Sequence, residues 1–177
     1  MKEYNIEYYP NEEDIKQMIQ LDNEVYNKSE DCGILEKCLQ WKKICPEIYT
    51  VIKDSDKVVG YINFVSITKK CYEDFRHGKI KDYQLDLKDI VNFSKGDNYC
   101  LFMSVVVKNE YQDKYATKVL LDAFYKRIND FHIRGIKTNN IIADCVSKDG
   151  EKFITKRFNA SCVGVTETNS KLYEFSL

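Results

Sequence analysis

A chain of 177 residues with a formal net charge of −1 is long enough for one domain with a substantial hydrophobic core. Apolar residues make up 44% of the chain and charged residues 31%, a globular composition that excludes the disordered and fibrous classes. Because the net charge is close to zero and no basic stripe is visible, neither nucleic acid nor an anionic membrane is an expected partner.

The cysteines indicate a reducing compartment. There are seven of them, scattered singly, and no pair has the C-x-x-C spacing. Such a set does not predict a disulfide framework, and with only two histidines the sequence offers no close ligands for zinc, so we predict no metal. No apolar signal core opens the chain, and no apolar run approaches the ~20 residues of a membrane helix. We therefore expect a cytoplasmic protein.

The first part of the chain predicts a strand, two helices and a hairpin. A weakly alternating run ends at Pro10, and Asn11 is the expected N-cap of a first helix over 11–27. A second helix follows over 33–45 and ends before a proline. Two β-rich runs over 47–68 flank a short polar turn and predict a hairpin, with Gly60 inside its second strand, where a bulge or a close approach of the backbone is plausible.

Positions 69–97 have the weakest pattern. Such a long stretch without any structure is unusual in a compact domain, so we expect one or two short helical turns packed over a face of the sheet. A mobile lid is the alternative. In either case this segment is an insertion between the third and fourth strands.

The second part of the chain alternates buried strands with helices. An apolar run over 98–107 predicts a fourth strand, an apolar stripe from Ala116 to Phe131 predicts a long helix, and Gly135 ends that element. A strand over 139–147, a short helix over 149–160 and a closing pair of strands complete the chain. Without repeats or linkers, this order predicts a single α/β domain over 1–177, a mixed sheet with helices on both faces.

The junction "VVVKNEYQDKYAT" between the fourth strand and the long helix predicts a possible anion site. The first N–H groups of a helix have no acceptor in their own helix, and they carry the positive end of its dipole. A phosphate or diphosphate is therefore a natural ligand, although many such junctions bind nothing and this one contains no glycine.

The order of elements and the segment "SVVVKNEYQDKYATKVLL" resemble the GNAT (Gcn5-related) N-acetyltransferases over almost the whole chain. The resemblance implies a mixed, mostly antiparallel seven-strand sheet, and acetyl-CoA as the cosubstrate. In that family, amides of a Gln/Arg-x-x-Gly-x-Gly/Ala turn bind the pyrophosphate, and the pantetheine arm inserts between two diverging strands, here Leu101–Val107 and Ile141–Val146. The cofactor-binding residues implied in this chain are Val105, Val106, Val107, Gln112, Asp113, Lys114, Tyr115, Ala116, Thr117 and Ser147. Ser147 is equally an N-cap of the short helix.

Two features depart from the family. Tyr115 and Thr117 occupy positions where the family has glycine, which lets a backbone approach a phosphate without a Cβ in the way. A left-handed Tyr115 would cost roughly 1–2 kcal/mol. In the family, a tyrosine of the short helix often acts as the general acid that protonates the leaving thiolate. Its position corresponds to Thr155 here, and the short helix contains no tyrosine. Two hypotheses remain open: an N-acetyltransferase acting on a primary amine, or an inactive module that binds CoA or another ligand in a regulatory or interaction role.

The candidate general bases are Ser104 acting through water, Glu110 in the turn, and Asp144 in a buried strand. A buried carboxylate has the pKa that base chemistry needs, but we expect Asp144 to be a strand-end residue whose carboxylate is satisfied by backbone amides. A cysteine nucleophile would require an activated thiol, and Cys71 near His77 is the only loose match. The acceptor is expected to be a small-molecule or peptide amine, and the protein a monomer or homodimer. Three aromatic side chains are either acceptor-groove lining or core: Tyr26, Trp41 and Tyr61.

Overall fold

The structure is a computed structural model that describes residues 3–26, 34–112 and 114–177, and the side chain of Lys114 is not described. The strands are β1 (Asn5–Glu7), β2 (Tyr49–Asp54), β3 (Lys57–Ile67), β4 (Gly96–Val107), β5 (Ile136–Cys145), β6 (Ser161–Val165) and β7 (Lys171–Phe175). The helices are α1 (Glu12–Tyr26), α2 (Ile34–Ile44), α3 (Lys69–Arg76), α4 (Lys114–Ile133) and α5 (Lys148–Phe158). The predicted order of strands and helices is confirmed, with α3 as a further helix in the insertion.

The seven strands form one mixed sheet in the order β1-β2-β3-β4-β5-β7-β6, which confirms the predicted fold class. The pairs β1–β2, β2–β3, β5–β7 and β6–β7 are antiparallel, and β4–β5 is parallel. None of the helices in the described ranges is both long and apolar enough to cross a membrane.

The chain divides into two compact units, and the division falls within β3, β4 and α4. The first unit comprises Met1–Asn63 and Ser104–Asn129, and the second comprises Phe64–Met103 and Asp130–Leu177. Each unit has its own buried core.

In the first unit, α1 begins with a reciprocal cap. The Asp14 amide donates to Asn11 Oδ1 at 2.9 Å, and the Asn11 amide donates to Asp14 Oδ2 at 3.1 Å, so the predicted N-cap is confirmed. Asp22, which interrupts the apolar face of this helix, accepts a hydrogen bond from the Tyr61 hydroxyl at 2.6 Å. The polar interruption therefore has a specific partner.

A buried arginine fastens three segments of the first unit. Arg127 is 6% exposed, and its guanidinium donates to the main-chain oxygens of Glu47 at 2.7 Å, Tyr8 at 2.6 Å and Tyr49. It also lies over the ring of Tyr8, at 4.6 Å from the centroid. Burial lowers the pKa of this guanidinium. The guanidinium thus supplies hydrogen-bond donors to three main-chain oxygens.

In the second unit, the insertion is structured as expected. Thr68 caps α3 by accepting from the Cys71 amide at 3.2 Å, and two 3₁₀ turns follow at Asp82–Gln84 and Leu87–Asp89. Several large apolar side chains of this segment are buried, whereas Leu87 is 42% exposed. The buried ones include Tyr72, Phe75, Leu85 and Ile90.

The two faces of the second unit's sheet carry different helices. Along β7, Glu174 accepts hydrogen bonds from Tyr72 and Arg76 of α3, while Tyr173 on the opposite side donates to a residue of α5. Successive residues of a strand point to opposite faces, so α3 and α5 cover opposite sides. This confirms helices on both faces.

Candidate functional site

The junction between β4 and α4 lies in the first unit and is built without glycine. A 3₁₀ turn at Asn109–Tyr111 redirects the chain, and the Tyr111 hydroxyl donates to Asp54 Oδ2 at 2.7 Å. The Lys108 amide donates to Val59 O at 2.8 Å. None of residues 107–112 and 114–117 has a positive φ angle. The described residues of the turn therefore have no conformational requirement for glycine.

Gln112 closes this turn from within. Its Nε2 donates to Val107 O at 3.0 Å and to Asn109 Oδ1 at 2.9 Å. The side chain thus binds main chain and side chain of its own loop, and the oxygen of Val107 already accepts one bond. The predicted cofactor roles of Gln112 and Val107 stay predictions.

Tyr115 lies in the first turn of α4, in helical rather than left-handed conformation. The strain energy that a left-handed tyrosine at this position would cost is therefore not incurred. Its ring packs on that of Tyr4, with centroids 5.9 Å apart, and Tyr4 contacts Tyr111 at 6.3 Å. Ala116 is buried and Thr117 is half-buried. Asp113 lies outside the described residues, as does the side chain of Lys114.

The parallel ladder of β4 and β5 ends early. Within the second unit, pairing runs from Gly96 with Ile136 to Leu101 with Ile142. β4 then continues to Val107, while Ala143–Cys145 of β5 pair with β7. The expected divergence of the two strands stays a prediction.

Asp144 of β5 forms a buried ion pair in the second unit, and the expectation that backbone amides satisfy it is wrong. Its Oδ2 accepts from Lys81 Nζ at 3.0 Å, and its side chain is 10% exposed. Lys81 also donates to Thr166 Oγ1 at 2.8 Å and to Ser170 Oγ at 2.7 Å, which uses all three of its protons. Within the described residues, the buried Oδ1 of Asp144 has no hydrogen-bond partner. The sequence contained no signal for Lys81, because its partners are 63 to 89 positions away.

The other predicted side chains are spread over both units. In the first, Ser104 is half-buried on β4, and Glu110 is exposed and pairs with Lys108 at 3.3 Å. In the second, Ser147 caps α5 by accepting from the Gly150 amide at 3.1 Å, as its sequence position suggested. Burial raises the pKa of the Cys71 thiol to about 12, so this cysteine stays protonated and is a poor nucleophile.

Two of the three aromatic side chains proposed for an acceptor groove belong to the core. Trp41 is 3% exposed and Tyr61 is 5% exposed, whereas Tyr26 is 41% exposed. In the described part of the chain, no three or more His, Cys, Asp or Glu side chains are grouped as metal ligands.

Neither a protein-family model nor a characterised protein matches the sequence, but solved structures match it over nearly its whole length. The loading GNATL domain of CurA from Lyngbya majuscula is similar, with a TM-score of 0.66 and 16% identity over 98% of each chain. The chain has the GNAT fold.

Two further structures of this fold contain ligands. The PaiA N-acetyltransferase from Thermoplasma acidophilum, in complex with coenzyme A, matches with a TM-score of 0.55 and 12% identity over 99% of each chain. The NatC complex bound to Gag peptide and CoA matches with a TM-score of 0.60 and 10% identity over 99% of each chain. At such identities the likeness concerns the GNAT fold alone.

Proposed function

We propose that the protein transfers an acetyl group from acetyl-CoA to a primary amine of a small molecule or a peptide, in the cytoplasm and without a metal. The observation that carries the proposal is the end of the β4–β5 ladder at Leu101 and Ile142. β4 runs on beyond this ladder, and an extended ligand pairs readily with the main chain of such a strand. The CoA in the structure of PaiA, a protein with the same fold, supports the choice of cosubstrate.

The start of α4 is our proposed site for the diphosphate of CoA. A diphosphate favours the first turn of a helix, where N–H groups and the helix dipole both face the anion. Tyr115 is compatible with this role because its ring packs toward Tyr4 and its backbone is helical. The proposed contacts are Val105, Val106 and Val107 for the pantetheine, Gln112, Asp113, Lys114, Tyr115, Ala116 and Thr117 for the diphosphate, and Ser147.

The reaction needs a group that accepts a proton from the substrate's ammonium, so that the neutral amine can attack the thioester. Ser104, Glu110 and Asp144 stay our candidates, and their surroundings differ. Asp144 is held by Lys81, which occupies one of its two carboxylate oxygens. The leaving thiolate can take its proton from water, so the lack of a tyrosine in α5 does not prevent turnover.

Ligand-induced stabilisation tests the cosubstrate. At 100 times its dissociation constant, a ligand stabilises the folded state by about 2.7 kcal/mol. We expect acetyl-CoA and CoA to raise the melting temperature, and pantetheine, which lacks the diphosphate, to raise it much less. Release of free CoA in the presence of a panel of primary amines then measures turnover. No stabilisation by either CoA ligand at millimolar concentration would reject the proposal.

A catalytically inactive GNAT-fold module that binds CoA is the second candidate. It is favoured by Tyr115 and Thr117 at glycine positions and by the lack of a tyrosine in α5. Stabilisation by CoA without release of CoA on any amine would support this candidate. Substitution of Thr117 by glycine, with Asp122→Gly as a control at an exposed position of the same helix, tests whether a Cβ at position 117 weakens CoA binding. If a Cβ obstructs the phosphate, Thr117→Gly tightens CoA binding and the control does not.

A further inference from the structure

A shallow depression of about 330 Å³ lies in the second unit between α5 and β7. Its volume is at the lower end of the ~300–1,000 Å³ typical of small-molecule sites. Residues at i, i+3, i+4 and i+7 of α5 supply one wall, and two alternate residues of β7 supply the other. The lining side chains are Lys148, Glu151, Lys152, Thr155, Lys171 and Tyr173.

The charge of this lining is unbalanced. It contains three lysines and one carboxylate. Lys152 also lies 3.6 Å from Asp149, with both side chains largely exposed, so this pair is weak. Lys148 forms no ion pair with any residue that the structure describes. The depression therefore carries net positive charge beside its single acid.

The donors of β7 converge on that acid. Glu151 Oε2 accepts from Lys171 Nζ at 2.6 Å and from the Tyr173 hydroxyl at 3.1 Å. The bond from Lys171 lowers the pKa of Glu151, and burial together with this carboxylate raises the pKa of Tyr173. The two donors are two residues apart on a strand paired on both sides, so their spacing is fixed by the sheet. The carboxylate, in contrast, is on a flexible side chain of a helix.

We propose that the depression binds an anionic group of a small molecule, a carboxylate or a phosphoryl group, in the position now taken by the Glu151 carboxylate. Rotation of the Glu151 side chain exposes Lys171 and Tyr173 to the incoming anion, and Lys148 adds a third donor. Thr155 is not a donor to the ligand, because its hydroxyl bonds the Glu151 main-chain oxygen at 2.7 Å. The proposal does not depend on acetyl transfer.

The simpler alternative is that Glu151 only ties α5 to β7. Exposed ion pairs of this kind contribute little to stability. The two views differ in one consequence. If Glu151 occupies an anion's position, its neutral replacement strengthens anion binding, whereas a purely structural pair predicts no anion binding with or without it.

Titration with inorganic phosphate and with acetate, at constant ionic strength and followed by amide chemical shifts, tests the proposal. We expect saturable shifts at residues 148–155 and 171–173, distinct from any shifts at the proposed diphosphate site at the start of α4. Binding at the depression should be tightened roughly fivefold by Glu151→Gln and weakened at least as much by Lys171→Met. Lys88→Met, which removes an exposed lysine of the same unit, should leave both affinities unchanged.

The anion that binds more tightly, phosphate or acetate, shows whether the depression prefers a phosphoryl group or a carboxylate. If Glu151→Gln is poorly folded by circular dichroism, Lys148→Glu provides the same test with the opposite sign, and weaker binding is expected. Saturable binding that is insensitive to Glu151 and Lys171, or no saturable binding by the folded Glu151→Gln variant, would overturn the proposal. CoA-induced shifts at the start of α4 test the acetyltransferase proposal separately, so failure here leaves that proposal standing.

Discussion

Removal of the Lys81 charge should destabilise the protein strongly, because it leaves the Asp144 carboxylate buried without a counter-ion. The pair is 3.0 Å apart, and the two side chains are 15% and 10% exposed. Breaking a buried pair by deleting one partner typically costs about 3–5 kcal/mol. The loss should fall in this range for Lys81→Met, since Thr166 and Ser170 lose their lysine donor as well.

The measurement is urea denaturation at pH 7, followed by circular dichroism. Lys79→Met is a matched control: this lysine is two residues earlier, is 66% exposed and lies 3.8 Å from Asp74. It should change the free energy of unfolding by no more than about 0.5 kcal/mol. The double variant Lys81→Met/Asp144→Leu should recover most of the loss, because a buried pair replaced by apolar groups is often neutral. A loss below about 1 kcal/mol for Lys81→Met, or a double variant as unstable as the sum of both single variants, would refute this account.

Three further predictions concern other parts of the fold. Arg127→Met should lower the free energy of unfolding by about 2–4 kcal/mol in the same assay, because three main-chain oxygens lose their donor. Arg127→Lys should retain only part of the stability that Arg127→Met loses. Gly60→Ala should cost about 1–3 kcal/mol, since a Cβ there would lie 3.0 Å from Val106 O. The pKa of Glu151 in the folded protein lies below its usual 4.5. Its contribution to the free energy of unfolding is therefore fully present above pH 4.5, and it is lost as the pH falls through the lowered pKa of the folded state. The melting-temperature difference between wild type and Glu151→Gln should therefore shrink between pH 6 and pH 3, and a constant difference would contradict the prediction.

The order of the elements was predictable from the sequence because each element carries its own signal. Hydrophobic periodicity and caps are local, and Asn11, Thr68 and Ser147 each bond an amide three residues away. Boundaries were less accurate. β5 begins at Ile136 rather than at 139, because its first residues alternate buried Ile136 and Thr138 with exposed polar residues that resemble a loop.

The polar anchors could not be predicted in the same way. Arg127 meets main-chain oxygens 78 to 119 positions away, and Lys81 meets Asp144 across 63 positions. Periodicity indicates which face of an element is buried, but it contains nothing about which distant polar group a buried lysine or arginine will meet. These contacts depend on how the strands are ordered, and they became visible only in the folded structure.

The turn before α4 reverses the chain without a glycine. Here the reversal is made by the 3₁₀ turn at Asn109–Tyr111, and its conformation is fixed by side chains: Tyr111 bonds Asp54, and Gln112 bonds Val107 O. Glycine at 115 would therefore relieve no backbone strain, and it would remove the ring contact with Tyr4. Any effect of the missing glycines on CoA must then come from Cβ atoms near the ligand. Since Tyr115 packs on Tyr4, Tyr115→Ala should leave CoA affinity unchanged, and a marked gain in affinity would mean that the ring does obstruct the phosphates.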